Sequence, residues 1–136
     1  MDWEMTQIEL IAKCMKLIIQ HKVCPQTPVH YWPKVLLFAH TRGYLFTNKD
    51  ASAFALVYRI PEWDEKWGNT MPDKESGNKA YVAFAVSESK NKLELTRMFK
   101  DYVRINNIEE MIYHRRNSDS DLKRIRTNKH EQIQST

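Results

Sequence analysis

Apolar residues recur at helical spacing near the beginning of the chain. The positions that form this pattern are Ile8, Ile11, Met15, Ile18 and Ile19. Thr6 and Glu9 match a capping box, in which the threonine side chain caps a helix and the glutamate reaches back to it. The pattern predicts a helix that begins at Asp2 or Thr6 and ends near His21.

A second helix and a β-hairpin are predicted next. Pro33 suits the first turn of a short helix, and Gly43 suits its C-terminal cap. The stretches YLFT (44–47) and SAFALVYRI (52–60) are rich in β-branched and aromatic residues, which is typical of strands. Residues 48–51 would form the turn between them.

Residues 61–78 break the pattern of regular elements. This stretch has two prolines, two glycines and five acidic residues against two lysines, which predicts an exposed loop. It carries Trp63 and Trp67. Two interpretations remain open: the tryptophans cover the edge of the core, or the loop binds a partner.

A buried strand followed by an amphipathic helix is predicted in the second half of the chain. KAYVAFAV (79–86) is almost uniformly apolar, as in a central strand that is covered on both faces. Asn91 suits a helix N-cap, with Glu94 three residues later, and Asn106-Asn107 would end the helix. One face of the predicted helix carries Leu95, Met98, Phe99, Tyr102 and Val103.

The last segment predicts a short strand at 109–116 and then the start of another helix, capped by Ser118 or Asp119. The predicted order is helix, helix, strand, strand, strand, helix, strand, helix. We therefore expect an α/β (α+β) fold with a mixed, mostly antiparallel sheet and helices packed on it. It would form a single domain over residues 1–126, with a flexible polar tail at 127–136.

Composition narrows the class of protein. The chain has 136 residues, 42% of them hydrophobic, which is enough for one folded domain. A net charge of +4 permits anionic partners without requiring nucleic acid. Charged residues interrupt the first apolar stretch, so we predict no transmembrane segment and no membrane partner. Two cysteines and no basic leader favour reduced thiols in the cytoplasm.

A metal site is not expected from the sequence. Cys14, His21, Cys24 and His30 are close together in the chain, but they lack the paired spacings of a structural zinc site.

The order of elements resembles the GNAT-type N-acetyltransferase fold, without its first strand and its last two. AYVAFAVS (80–87) would be the family's central strand and LELTRMFKDYV (93–103) the helix after it. EEMIYHRRN (109–117) would be the strand that diverges from the central one, and DSDLKRI (119–125) the start of the last helix. Small, divergent proteins of this type occur in tailed bacteriophages, some as virion or accessory proteins, and this chain is similar to them.

The resemblance implies an acetyl-CoA or other acyl-CoA site at the loop after the central strand. The residues at the matching positions are Ser87, Ser89, Lys90, Asn91 and Lys92, together with Asn117 after the diverging strand. The family's loop contains glycines that leave bare N–H groups for the pyrophosphate, whereas residues 87–92 contain none. The expectation is therefore that no cofactor binds, with acyl-CoA as the alternative.

Candidates for the general base of an amine acylation are Glu88, Glu109, Glu110 and His114. Of these, Glu88 and His114 are the catalytic residues that the resemblance favours. The family's proton-donating tyrosine comes from the last helix, and no tyrosine follows residue 118 here. Tyr113 would lie on the sheet face opposite to His114.

Basic residues near the end of the chain are candidates for nucleic-acid binding. They are Arg115, Arg116, Lys123, Arg124 and Arg126. A solvated helix face would have the same composition.

Three functions follow from this sequence. The first is a non-catalytic GNAT-like scaffold that binds a virion or host protein, in the virion or the host-cell cytoplasm. The second is an acyl-CoA-dependent N-acyltransferase with a degenerate cofactor loop. The third is a nucleic-acid-binding accessory protein.

Overall fold

The computed structural model of the protein describes residues 6–23, 27–68, 70–88, 93–114 and 122–127. Within these ranges the helices are α1 (Gln7–Gln20), α2 (Trp32–Arg42) and α3 (Leu93–Asn106). The strands are β1 (Leu45–Thr47), β2 (Ala53–Ile60), β3 (Lys79–Ser87), β4 (Glu110–His114) and β5 (Leu122–Arg126). Single 3-10 turns lie at Val29–Tyr31 and Glu65–Gly68.

The five described strands form one sheet in the order β1-β2-β3-β4-β5. All neighbouring pairs are antiparallel except β3 and β4, which are parallel and are connected through α3. The α+β class and the mostly antiparallel sheet are thus as the sequence predicts. The uniformly apolar strand is indeed the central one.

The predicted last helix is wrong for the part of that segment that the structure describes. Leu122–Arg126 is a strand that pairs antiparallel with β4. Its backbone groups bond β4, and the Arg124 guanidinium reaches across to the Glu110 carboxylate. These non-local contacts outweigh the local cap-like signal of Ser118 and Asp119, which lie outside the described residues.

Local signals determine where α1 and α2 begin and end. The Thr6 hydroxyl accepts a hydrogen bond from the Glu9 backbone N–H at 3.1 Å, as the capping box predicts. Gly43 follows α2 with a φ of +80°, a left-handed conformation that favours glycine. Both predicted ends are confirmed.

The two faces of the sheet have different covers. One face carries α1, α2 and the loop at 61–78; the other carries α3, through the predicted apolar stripe in which Met98 and Tyr102 are buried. The core between α1, α2 and the sheet is made by Cys14, Leu17, Ile18, Trp32, Leu36, Phe54 and Val86. The loop at 61–78 therefore takes the place of a helix over β3, β4 and β5.

Candidate functional site

The parallel strands β3 and β4 end at the place where α/β proteins commonly bind ligands. Their pairing covers Lys79–Val82 against Glu110–Tyr113. β3 then continues to Ser87, paired only with β2 among the described strands. His114, a candidate base, is the last residue of β4.

His114 and Tyr81 form a hydrogen-bonded pair at this place. The Tyr81 hydroxyl lies 2.8 Å from His114 Nδ1, and Tyr81 is buried. The Trp63 ring centroid is 4.9 Å from that of Tyr81 and 5.7 Å from that of His114. A Cβ placed on Gly68 would lie only 3.8 Å from His114 Cε1, the carbon between the two ring nitrogens. The loop backbone at Gly68 therefore lies close to the imidazole, on the side of Cε1.

A row of tyrosines holds this loop on the sheet. The rings of Tyr44 and Tyr58 are 5.5 Å apart, and those of Tyr58 and Tyr81 are 5.8 Å apart. The Tyr58 hydroxyl donates to the Trp67 carbonyl, and the Tyr44 hydroxyl donates to the Pro72 carbonyl at 2.6 Å. Burial raises the pKa of Tyr58, so its hydroxyl stays protonated and able to donate.

The tryptophans of the loop cover the core. Trp63 and Trp67 are half-buried and pack against the cluster that contains Tyr58, Tyr81 and Ile112. The Trp67 indole N–H donates to the Glu62 carbonyl at 3.2 Å. This arrangement supports the first of the two interpretations of the loop.

Four charged side chains connect the loop to three strands beside this cluster. Arg124 Nη2 lies 2.5 Å from Glu110 Oε1 and 3.1 Å from Glu62 Oε1. Lys79 Nζ lies 2.9 Å from Glu62 and 3.7 Å from Glu110. Glu110 is buried, and such a carboxylate needs cationic partners. Two residues predicted for different functions, Glu110 as a base and Arg124 as a phosphate contact, therefore bind each other.

The Glu62 carboxylate should make stability depend on pH. Hydrogen bonding to Lys79, first, and then to the Trp63 backbone and Arg124 lowers the pKa of Glu62 from 4.5 to about 2. A lowered folded-state pKa stabilises the fold above the unfolded value and loses that effect as pH falls through about 2. We expect the stability difference between the wild type and Glu62→Gln to shrink between about pH 5 and about pH 2.

Urea unfolding at a series of pH values measures this difference. Added salt should also reduce it, because Glu62 is exposed and its ion pairs are screened. Glu65→Gln removes a carboxylate from the same loop and serves as the control. A Glu62→Gln difference that stays constant across this pH range would contradict the proposed ion pairs.

The other predicted residues are separated or lie outside the described ranges. Ser87 ends β3, and Glu88 is exposed, with its backbone N–H donating to Ser52 at 2.7 Å. Glu109 bonds Asn78 through its backbone N–H. Lys123 and Arg126 lie on β5. Outside the described residues are Ser89, Lys90, Asn91, Lys92, Arg115, Arg116 and Asn117.

The described residues include the buried cysteine Cys14, but no metal-binding cluster and no helix that could span a membrane. Burial raises the pKa of the Cys14 thiol to about 12, which leaves almost no reactive thiolate at neutral pH. Among the residues that the structure describes, no three His, Cys, Asp or Glu side chains converge as metal ligands would. Within the same ranges, no helix combines the length and apolar character needed to cross a bilayer.

The sequence indicates which face these side chains share, but not which of them meet. Lys79 and Tyr81 are two residues apart on β3, and Glu110 and His114 are four residues apart on β4. The side chains of each pair therefore point to the same face of the sheet. The contacts between them follow from the register of the parallel pair, which has no local sequence signal. Tyr81 was missed as the partner of His114 for this reason.

Comparison of the chain with protein-family models, with curated proteins and with solved structures finds no match. Any functional assignment must therefore come from the geometry described above.

Proposed function

We propose that this protein is a non-catalytic binding protein with a GNAT-like scaffold, acting as a virion-associated or accessory protein of a tailed bacteriophage. The observation that carries this proposal is the environment of His114. Its Nδ1 is bonded to Tyr81, its ring packs against Trp63, and the loop backbone at Gly68 lies beside its Cε1. A general base needs an open path to the proton that it removes.

Two further features support a binding role over an acyl transfer. Glu110, the buried carboxylate of β4, is neutralised by Arg124 and Lys79, which both lie against its Oε1. The segment after β3 has no glycine between residues 87 and 92, so side chains would crowd a diphosphate. The fold can persist while the chemistry that a related fold supports is absent.

Turnover of acetyl-CoA tests this proposal. We expect the release of free CoA thiol, with a polyamine or a lysine-containing peptide as the acceptor, to equal the buffer rate. His114→Ala should give the same rate as the wild type. Release by the wild type that His114→Ala abolishes would overturn the proposal.

One observation favours a second candidate, an acyl-CoA-dependent N-acyltransferase. β3 continues for Ala83–Ser87 beyond its pairing with β4, and among the described residues the two parallel strands are joined over four residue pairs. An acyl-CoA that entered beside this unpaired stretch would contact backbone groups of β3. The turnover assay separates this candidate from the first.

Nucleic-acid binding stays a prediction. Within the described part of β5, the guanidinium of Arg124 is already engaged with two carboxylates, which lessens the support for a phosphate contact there.

Mass spectrometry of purified virus particles distinguishes the two forms of the favoured role. Detection of the protein in purified particles would indicate a virion protein. Detection in the infected-cell lysate but not in particles would indicate an accessory protein.

A further inference from the structure

An apolar pocket of about 200 Å³ opens at the end of α1. Ile18 and Trp32, both buried in the core, form its floor. Its rim includes Ile19 and Val29, which are 54% and 55% exposed, and the side chain of Lys22. Exposed branched residues around a recess with a hydrophobic floor are typical of a site that receives an apolar group.

The pocket lies at the end of an apolar stripe along α1. Ile8, Ala12, Met15 and Ile19 fall on one side of the helix at spacings of four, three and four residues. Ile8 is 81% exposed and Ile19 is 54% exposed, so these two residues lie away from the side that packs on the sheet. The buried side is formed instead by Cys14 and its neighbours. Met15 is partly buried against the core, so the exposed part of the stripe consists of Ile8, Ala12 and Ile19.

The segment that forms this surface is free of acidic residues. Between residues 10 and 49 the chain has six Lys and Arg and no Asp or Glu, although it has 17 acidic residues in total. Within the part of the chain that the structure describes, Lys16, Lys22 and Lys34 make no ion pair. Lys13 donates to the Asp50 carbonyl at 3.0 Å. The charged side chain that lines the pocket is thus Lys22, a cation, and among the described residues the lining contains no carboxylate.

We infer that the surface formed by Ile19, Lys22 and Val29 around the recess over Ile18 and Trp32 binds an acidic peptide segment of a partner protein. A large aliphatic or aromatic side chain of the partner would fill the pocket, and its carboxylates would pair with Lys16 and Lys22. The inference rests on the proposed binding function and names the chemistry of the partner. Burial of one apolar anchor within a ring of charge pairs is a usual way to form a hot spot.

Other occupants fit the observations less well. A second copy of this chain would bring the same lysines against each other, which like-charge repulsion opposes. A bilayer surface is flat, whereas the recess over Ile18 and Trp32 is concave and suits a single side chain. Nucleic acid would find the lysines but would leave Ile19 and Val29 exposed.

Selection of a random peptide library on the immobilised wild-type protein tests the inference. We expect enriched peptides to contain Asp or Glu on both sides of a Leu, Phe or Trp. Their affinity should fall at least about tenfold on Ile19→Asp and on Lys22→Glu. Val29→Asp provides a second apolar variant, and Ile105→Asp, on the exposed face of α3, is the matched control that should retain binding.

Several outcomes would overturn the inference. Three of them concern the peptides: no enrichment, enrichment of basic peptides, and affinities that Ile19→Asp and Val29→Asp leave unchanged. The fourth is displacement of a bound peptide by anionic vesicles or by a single-stranded oligonucleotide. Failure here with no acetyl-CoA turnover would remove this surface and leave the non-catalytic function standing. Peptide binding together with acetyl-CoA turnover would remove only the non-catalytic function.

Discussion

Replacing Phe54 with alanine should lower the free energy of unfolding by about 3–5 kcal/mol. Phe54 is fully buried on β2, and its ring meets that of Phe84 edge to face at a centroid distance of 5.7 Å. It belongs to the cluster that joins α1 and α2 to the sheet, which also contains Leu36. Truncation removes its apolar area and leaves a cavity that backbone elements on both sides cannot close.

Urea unfolding followed by circular dichroism measures this loss. Phe54→Leu keeps most of the volume and should cost less than about 1.5 kcal/mol. The slope of stability against urea should stay the same in both variants, because the surface exposed on unfolding hardly changes. A loss below about 1 kcal/mol for Phe54→Ala would show that the α1–α2 layer does not depend on this contact.

Replacing Tyr58 with phenylalanine should lower the free energy of unfolding by about 1–3 kcal/mol. The substitution keeps the ring between Tyr44 and Tyr81 and removes only the hydroxyl that donates to the Trp67 carbonyl. A partly buried carbonyl left without its donor costs part of its desolvation penalty. The loop at 61–78 should therefore open more often than in the wild type.

Limited trypsin digestion reports this opening. Cleavage after Lys66 and Lys74 should become faster in Tyr58→Phe than in the wild type, because the loop is released before the sheet unfolds. Tyr31→Phe removes a hydroxyl from an exposed ring and should change stability by less than about 0.5 kcal/mol. Equal cleavage rates in Tyr58→Phe and the wild type would show that the tyrosine row does not hold the loop.

The elements predicted best are those with local signals. Thr6 caps α1, Gly43 ends α2, and the apolar stripe of α3 faces the sheet, all as the sequence predicts. Each of these depends on residues within one or two turns of one another. Nothing distant in the chain competes with them.

The one contradicted element depends on a distant partner. A five-residue stretch such as Leu122–Arg126 is too short for helical and strand periods to be told apart. The stretch is a strand because it pairs with β4, and the Arg124 guanidinium donates to the Glu110 carboxylate. Sequence reasoning assigned these two residues to unrelated functions for the same reason.

The candidate site was only half predictable. His114 can be placed at the end of a strand from its neighbours, but its contacts with Tyr81 and Trp63 join residues 33 and 51 positions away. Those contacts depend on the parallel register of β3 and β4 and on the course of an irregular loop. Neither the register nor the course of the loop can be predicted from residues that are close together in the sequence.

The central proposal is that the chain's own loop occupies the space at His114 where a substrate would be activated, so that the protein does not bind acyl-CoA. Calorimetric titration of the wild-type protein with acetyl-CoA measures this most directly. The account predicts no heat beyond dilution, and the same trace for His114→Ala. A saturable heat with micromolar affinity would contradict it and would make the protein an acyl-CoA-binding one.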